Sequence, residues 1–357
     1  MKILLLKFRN IGDVLLSTPL VNNLRHHYPN AQIDFCVNKE TEAMLTLNPN
    51  LNKIITYDRI AIKSLTSIKR FWRELQFIRS FKKENYDVVI NLTSGDRGNL
   101  IAWISNATTR IGYSNKSWFF RKSLTHELPK QELRHTVDAN LDSLRLLNIP
   151  ISNKLVEIFW SPKDEHAISS ELTNINNFIH LHPVSRWLFK CISDNTMAQI
   201  IDYCQLNIGL KVVITASEDK FEVEKVNKIL SLTKSKPINL SGKLSLKETA
   251  ALNKKAKLFI GVDTSIMHIS ASNNVPVLAF FGPSGACHWG PWDNSIATSG
   301  YIRIKGFQVM GMHRVFSESR PCQPCGKDGC DGTKISDCLM NLDFEKIKGN
   351  IVEMLDD

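Results

Sequence analysis

Residues 257–283 read KLFIGVDTSIMHISASNNVPVLAFFGP. An apolar run, Leu258 to Val262, ends at Asp263-Thr264-Ser265; a short helical pattern follows, and a second apolar run, Val275 to Phe281, closes the stretch. Strand, polar turn, helix and strand in that order predict one βαβ unit of a parallel sheet. The turn falls at the carboxyl end of the first strand, the edge at which open α/β sheets hold ligands. It also opens a helix, whose free N–H groups and dipole favour anions. Asp263, Thr264 and Ser265 are small, polar N-cap residues, so a nucleotide diphosphate, if the chain binds one, is expected here.

The same alternation extends in both directions. Towards the N-terminus, KILLLKF (2–8) reads as a buried strand, and Gly12-Asp13 opens a helix that Pro19 kinks or restarts. Segments 32–37, 53–58 and 87–92 predict three more strands, 110–113 a fifth, and 40–47 and 66–84 helices. His135 to Leu147 predicts one amphipathic helix. Periodicity lapses over 148–162, and strands then recur at 178–183, 211–216 and 238–240, with helices at 194–207, 219–233 and 245–256. This predicts an α/β chain of two successive parallel-sheet domains, 1–155 and 156–342, with a Cys-rich loop at 320–340 and a final helix in 343–357.

At 357 residues, 43% hydrophobic and 22% charged, the composition is that of a globular protein. No apolar run reaches the roughly 20 residues that span a bilayer, and MKILLLKFRN has too short an apolar core for an export signal. The expected location is the cytoplasm. The net charge of +10 is not gathered into a basic arm, and no nucleic-acid motif occurs. Phosphates on a small or lipid-linked substrate, or plain solubility, account for it equally well.

Four clusters carry candidate chemistry. After the first strand, Gly12 permits close backbone approach and Asp13 is either a general base or a helix cap. Neither GxGxxG nor GxxxxGK[ST] is present. In HPVSRWLFK (182–190), Ser185, Arg186 and Lys190 offer a hydroxyl and two cations to phosphate, or form an ordinary surface loop. In ASEDKFE (216–222), Glu218, Asp219 and Glu222 compete for the hydroxyls of a ribose, or are solvated acids in the first turn of a helix. His268 lies four residues past Thr264, on the same helix face, and either reaches the phosphates or packs the helix. No DxD pair occurs, which favours a site that stabilises a leaving group without a metal. Cys36, Cys191, Cys204 and Cys287 are scattered and expected to pack as small hydrophobes. Cys322, Cys325, Cys330 and Cys338 are spaced for either a structural zinc or reduced surface thiols.

Three blocks together resemble one family: GDVLLSTP (12–19), HPVSRWLFK (182–190), and GVDTSIMH (261–268) with VPVLAFFGP (275–283). They resemble glycosyltransferase family 9, the heptosyltransferases that use ADP-heptose to build the lipopolysaccharide core. HPVSRWLFKC and the tail DGCDGTKISDCLM most resemble the heptosyltransferase III branch, which adds the side-branch heptose. The resemblance implies a GT-B fold, two Rossmann-like domains facing across a cleft, with acceptor on the first and donor on the second. It implies inversion without a metal. Asp13 matches the catalytic base, Lys190 the donor-phosphate lysine, and Asp263, Thr264 and Ser265 the diphosphate turn. His268 and Ser185 match donor-contacting residues. The family often has Gly where this chain has Ser265, and of the acids that could match its ribose-binding residue Glu222 is narrowly preferred to Asp219. Gly12, Arg97, Arg110 and Arg134 are candidates for a phosphorylated acceptor. A lipid-anchored acceptor implies peripheral contact with the cytoplasmic leaflet of the inner membrane, with Lys116, Trp118, Phe119, Phe120 and Arg121 as the candidate surface. The competing readings are a related transferase with another nucleotide sugar or a capsule or protein acceptor, and a non-catalytic nucleotide-sugar-binding module.

Overall fold

The computed structural model describes residues 1–114, 123–130, 132–173 and 175–356. The chain forms two units: Met1–Glu132 with Thr136–Phe159, and Leu133–His135 with Trp160–Asp357. The break thus falls at Phe159/Trp160 rather than after residue 155, residues 133–135 join the second unit, and the final helix belongs to that unit as well.

The first unit holds a six-stranded parallel sheet in the order β3-β2-β1-β4-β5-β6. Its strands are β1 (Lys2–Lys7), β2 (Gln32–Asn38), β3 (Lys53–Tyr57), β4 (Val88–Asn91), β5 (Thr109–Tyr113) and β6 (His126–Leu128). Ile3, Leu4, Leu5 and Leu6 are all buried, because both faces of a parallel sheet are covered; this is why the strand reads as a continuous apolar run. Helix α1 (Ile11–Leu15) gives way to α2 (Thr18–His27) with Pro19 in its first turn, the restart that Pro19 predicts. Helices α3 (Arg59–Lys63) and α4 (Ser67–Ser80) follow β3, and α5 (Asp96–Ile104) follows β4. Helix α5 was not anticipated. Gly98 lets it close on β4, since a Cβ there would stand 2.2 Å from Asn91 Oδ1. The expected single helix over 135–147 is two short ones, α6 (Thr136–Asn140) and α7 (Asp142–Leu146). At the break, the Asn140 side chain receives Lys7 Nζ at 3.2 Å and donates to the Leu16 carbonyl at 3.0 Å.

The second unit opens with α8 (Pro162–Ser169), which starts at the end of the stretch read as aperiodic and is capped by Ser161 and Asp164. Its sheet has seven strands in the order β12-β13-β11-β10-β7-β8-β9. These are β7 (Phe178–His182), β8 (Lys211–Ile214), β9 (Ile238–Asn239), β10 (Leu258–Val262), β11 (Val277–Phe280), β12 (Gln308–Met310) and β13 (His313–Phe316). The helices are α9 (Asp194–Asp202), α10 (Lys220–Ser231), α11 (Leu246–Asn253), α12 (Ser265–Ser272), α13 (Ala286–Trp289) and α14 (Phe344–Asp356). All pairings are parallel except β12 with β13, a hairpin turned at Gly311, φ +55°. The core gathers Ile179, Leu181, Ile214, Ile260, Val262, Leu278 and Phe280 from the strands and Ile347, Ile351 and Met354 from α14. Gly261 opposes His182 across β10 and β7, and a Cβ there would meet the His182 carbonyl oxygen at 2.7 Å. The two central strands therefore approach as closely as they do because position 261 carries no side chain.

Candidate active site

In each sheet the strand order reverses direction between two central neighbours, β1/β4 in the first unit and β7/β10 in the second. Such switch points open a crevice at the carboxyl edge. The chemistry-bearing residues of each unit lie there.

In the first unit, β1 ends at Lys7 and α1 begins at Ile11. Asp13 is buried in the first turn of α1 and accepts the Asn10 backbone N–H at 3.3 Å. The residue thus caps the helix, leaving its other oxygen free of that bond; cap and base are compatible roles. Gly12 is buried beside it, its carbonyl accepting Leu16 N–H. Sequence reasoning overlooked Lys7. Burial lowers its ammonium to about 8, and the Asp13 carboxylate partly offsets that effect. Lys7 Nζ donates to the Leu92 carbonyl at 3.1 Å and to Asn140. A lone cation ending an otherwise apolar strand was the available signal.

In the second unit, Lys190 follows β7 and Asp263 follows β10. Lys190 Nζ donates to Asp263 Oδ2 at 2.6 Å, and Ser284 Oγ, after β11, donates to the same oxygen at 2.5 Å. Burial pushes the Asp263 carboxyl up, but Lys190 and the two hydrogen bonds outweigh it and hold the group below its usual range. An ammonium has three donors, so Lys190 keeps two for a ligand. Thr264 stands at the N-cap of α12 in extended conformation and makes no side-chain cap bond; Ser265 is the first helical residue. Among the described residues, Thr264 Oγ1 and His268 Nδ1 are buried with no hydrogen-bond partner. Burial lowers His268 to about 3, so its ring is neutral. A cation, an uncapped helix start and two unspent polar atoms make an anion cradle. Ser284 was not anticipated; it sits in the turn just after the opening motif.

Ser185 is buried, its Oγ accepting Trp187 N–H at 3.2 Å, whereas Arg186 is exposed. Beyond β8, Asp219 is an exposed N-cap of α10, accepting Phe221 N–H at 2.9 Å. Glu222 is buried and accepts Ser217 N–H at 3.0 Å. Glu218 is exposed.

Residues 74–307 match the family model described as glycosyltransferase family 9 (heptosyltransferase). The chain belongs to glycosyltransferase family 9. Over 292 residues it is 31% identical to lipopolysaccharide heptosyltransferase 3 of Escherichia coli, covering 80% of this chain and 84% of that protein. Identity to the lipopolysaccharide core heptosyltransferase OpsX of Haemophilus influenzae is 24% over 303 residues, 81% of each chain. The fold is shared with a family 9 glycosyltransferase from Veillonella parvula, TM-score 0.79 at 22% identity over 99% and 97% of the two chains. It is also shared with E. coli heptosyltransferase WaaC with ADP, TM-score 0.73 at 14% identity over 99% and 100%. The fold class is therefore GT-B, as the resemblance implies.

The cations expected to serve an acceptor are differently placed in this family 9 enzyme. Arg97 donates to Glu74 at 2.9 Å and to the Tyr57 hydroxyl at 2.9 Å and lies over the Tyr57 ring. Arg110 reaches the carbonyls of Ser123 and Ala107 at 2.6 and 2.5 Å, tying the turn before β5 to the segment before β6. Arg134 lies in the second unit and accepts at its carbonyl from His288. Arg97 and Arg110 belong to the first unit and Arg134 to the second. Lys116, Trp118, Phe119, Phe120 and Arg121 lie outside the described residues. Cys36, Cys191, Cys204 and Cys287 are buried. Of the four cysteines spaced for a structural zinc or for reduced thiols, Cys322 and Cys325 are exposed, Cys330 is half-buried and Cys338 is buried, where burial pushes its thiol up to about 11; among the described residues no three His, Cys, Asp or Glu side chains are grouped as metal ligands.

Burial also keeps His180, His182 and His313 neutral, the last two at about 4. His180 and His182 share Thr215 Oγ1 at 2.8 and 2.9 Å. With His268, four imidazoles in one unit resist protonation that the unfolded chain accepts near 6.5. Their contribution is complete above that value and declines as pH falls towards 4. Between pH 6.5 and 5.5 each removes up to about 1 kcal/mol, so the urea midpoint should drop steeply over that interval. A flat midpoint would contradict the neutral assignment.

Proposed function

We propose that this family 9 enzyme transfers heptose from ADP-L-glycero-D-manno-heptose to the inner core of lipopolysaccharide, with inversion and without a metal. The observation that carries the reading is the anion cradle at the β7/β10 switch point, where Lys190, the α12 start, Thr264 Oγ1 and His268 Nδ1 converge on one turn. Identity to the E. coli lipopolysaccharide heptosyltransferase 3 supports the substrate class. Asp13 takes the proton of an acceptor hydroxyl as that oxygen attacks the anomeric carbon from the face opposite the leaving group. The bond from that carbon to ADP breaks as the new one forms. Charge developing on the diphosphate falls to Lys190 and the α12 dipole. Ser185 and Ser265 contact the donor, and Glu222, buried where Asp219 is exposed, takes the ribose hydroxyls.

ADP release from ADP-heptose, measured in EDTA with and without a core acceptor lacking its branch heptose, tests this reading. Acceptor-dependent release is the expected result. Release that EDTA abolishes would remove metal independence. Thermal stabilisation by ADP-heptose without release would mean a different acceptor, and neither would mean a different donor. The acceptor is lipid-anchored, and the enzyme meets the cytoplasmic leaflet peripherally. No helix among the described residues is long and apolar enough to cross a membrane.

A further inference from the structure

Helix α4 wears its apolar stripe on the outside. Ile68, Phe71 and Trp72 are 74%, 62% and 61% exposed, and with Leu75 they follow the i, i+3, i+4, i+7 spacing that ordinarily faces a core. Ile60 on α3 is 70% exposed as well. The C-terminal half of α4 explains why the helix does not roll over. Ile78 is buried, and Phe77 packs on Tyr57 and Phe81 with ring centroids 5.1 and 5.3 Å apart. Glu74 is held by Arg97 and the Tyr57 hydroxyl. One end of the helix is locked, and the other presents aromatic rings to solvent.

The charge around these rings is one-sided. Residues 59–83 contain Arg59, Lys63, Lys69, Arg70, Arg73, Arg79, Lys82 and Lys83 against Glu74, which Arg97 engages; Asp58 and Glu84 border the segment and pair with Lys39 and with Lys2 and Lys53, and Arg59 pairs with Glu40. Lys69 and Arg70, the two residues before Phe71, make no ion pair with any described residue. A second copy of the chain would bring the same cations to a self-complementary contact and be repelled. An anionic lipid surface meets both requirements at once: its phosphates pair with the cations while Ile, Phe and Trp enter the headgroup boundary.

We infer that the exposed face of α3 and α4 docks the enzyme on an anionic phospholipid bilayer. The inference deepens the proposed function and rests on its lipid-anchored acceptor. Helix α3 starts at the carboxyl end of β3, where Asp58 caps it through Ala61 N–H. The exposed first turns of α4 therefore lie towards the carboxyl edge of the first sheet, the edge at which Asp13 follows β1. Docking there brings the headgroup layer to the side of the unit that carries the base.

The test is co-sedimentation of the full chain with vesicles of phosphatidylglycerol and phosphatidylethanolamine, and with phosphatidylcholine vesicles, at low and high salt. The wild type should bind the anionic vesicles in a salt-sensitive way. Phe71→Ala/Trp72→Ala and Lys69→Gln/Arg70→Gln should each lose roughly tenfold or more of that binding. Both should melt like the wild type, because the altered side chains are exposed. Equal binding by the variants, or no binding by the wild type, would overturn the inference. A wild-type dimer that the variants dissociate would assign the face to a second copy instead. Neither donor nor acceptor is present, so the outcome is independent of ADP release assayed on a delipidated core oligosaccharide.

Discussion

Asp13→Asn should fold, bind ADP-heptose and transfer almost nothing. Removal of a general base lowers turnover by about 10²–10⁴. Asparagine retains an oxygen for the Asn10 N–H that Asp13 now accepts at 3.3 Å, so the helix cap survives. The more common Asp13→Ala loses base and cap together, and cap loss alone costs about 1 kcal/mol. Comparison of the two separates the roles. If Asn and Ala lose turnover equally while only Ala lowers the melting temperature, catalysis belongs to the carboxylate and stability to the cap. The donor-induced thermal shift should match wild type in both, since the donor cradle is built entirely within the second unit. Turnover by Asp13→Asn within a few-fold of wild type would leave Asp13 as a cap only. Lys7 adds a signature of its own. Burial lowers it to about 8 and the Asp13 carboxylate limits that fall, so an uncharged residue at 13 should lower it further.

The residues explain which parts of this chain could be read in advance. Strands buried on both faces announce themselves as apolar runs, and each ends where a polar residue reaches the carboxyl edge; Asp13, Lys190 and Asp263 were visible for that reason. Elements stabilised by tertiary contact were not. Helix α5 depends on Gly98 closing over Asn91, an approach no local pattern encodes. The amphipathic periodicity of 135–147 is genuine, yet Asn140 spends its side chain on Lys7 and Leu16 and the helix divides there. The β12–β13 hairpin is too short for alternation to register. Among the acids after β8, only burial separates Glu222 from Asp219. Arg97 looked like a substrate cation because its consumption by Glu74 and Tyr57 spans up to 40 positions in sequence. The cysteine spacing left zinc and reduced thiols both open because spacing cannot show that Cys322 and Cys325 are exposed while Cys338 is buried.

Lys190→Ala should damage the enzyme twice, and the two effects can be separated. Asp263 is buried and ionised, with Lys190 as its counter-ion. Deleting the lysine leaves a buried carboxylate that keeps the Ser284 hydroxyl as a donor, a loss of about 3–5 kcal/mol for a broken buried pair. Without its counter-ion the carboxyl should titrate above its usual range, because burial then dominates. The sign follows. A raised carboxyl binds a proton more readily folded than unfolded, so the stability deficit of Lys190→Ala should shrink as pH falls from 7.5 towards 5. The wild type should move the opposite way, through its buried histidines. Lys190→Ala/Asp263→Asn removes both charges and should recover the urea midpoint to within about 1 kcal/mol of wild type. It should not recover the donor. Wild type at 100 times the dissociation constant gains about 2.7 kcal/mol from ADP, and the double variant should show little of that gain, because the ammonium that met the phosphates is gone. A double variant that regained stability and was stabilised by ADP like wild type would make Lys190 a structural counter-ion to Asp263, leaving the α12 start and His268 to hold the diphosphate alone.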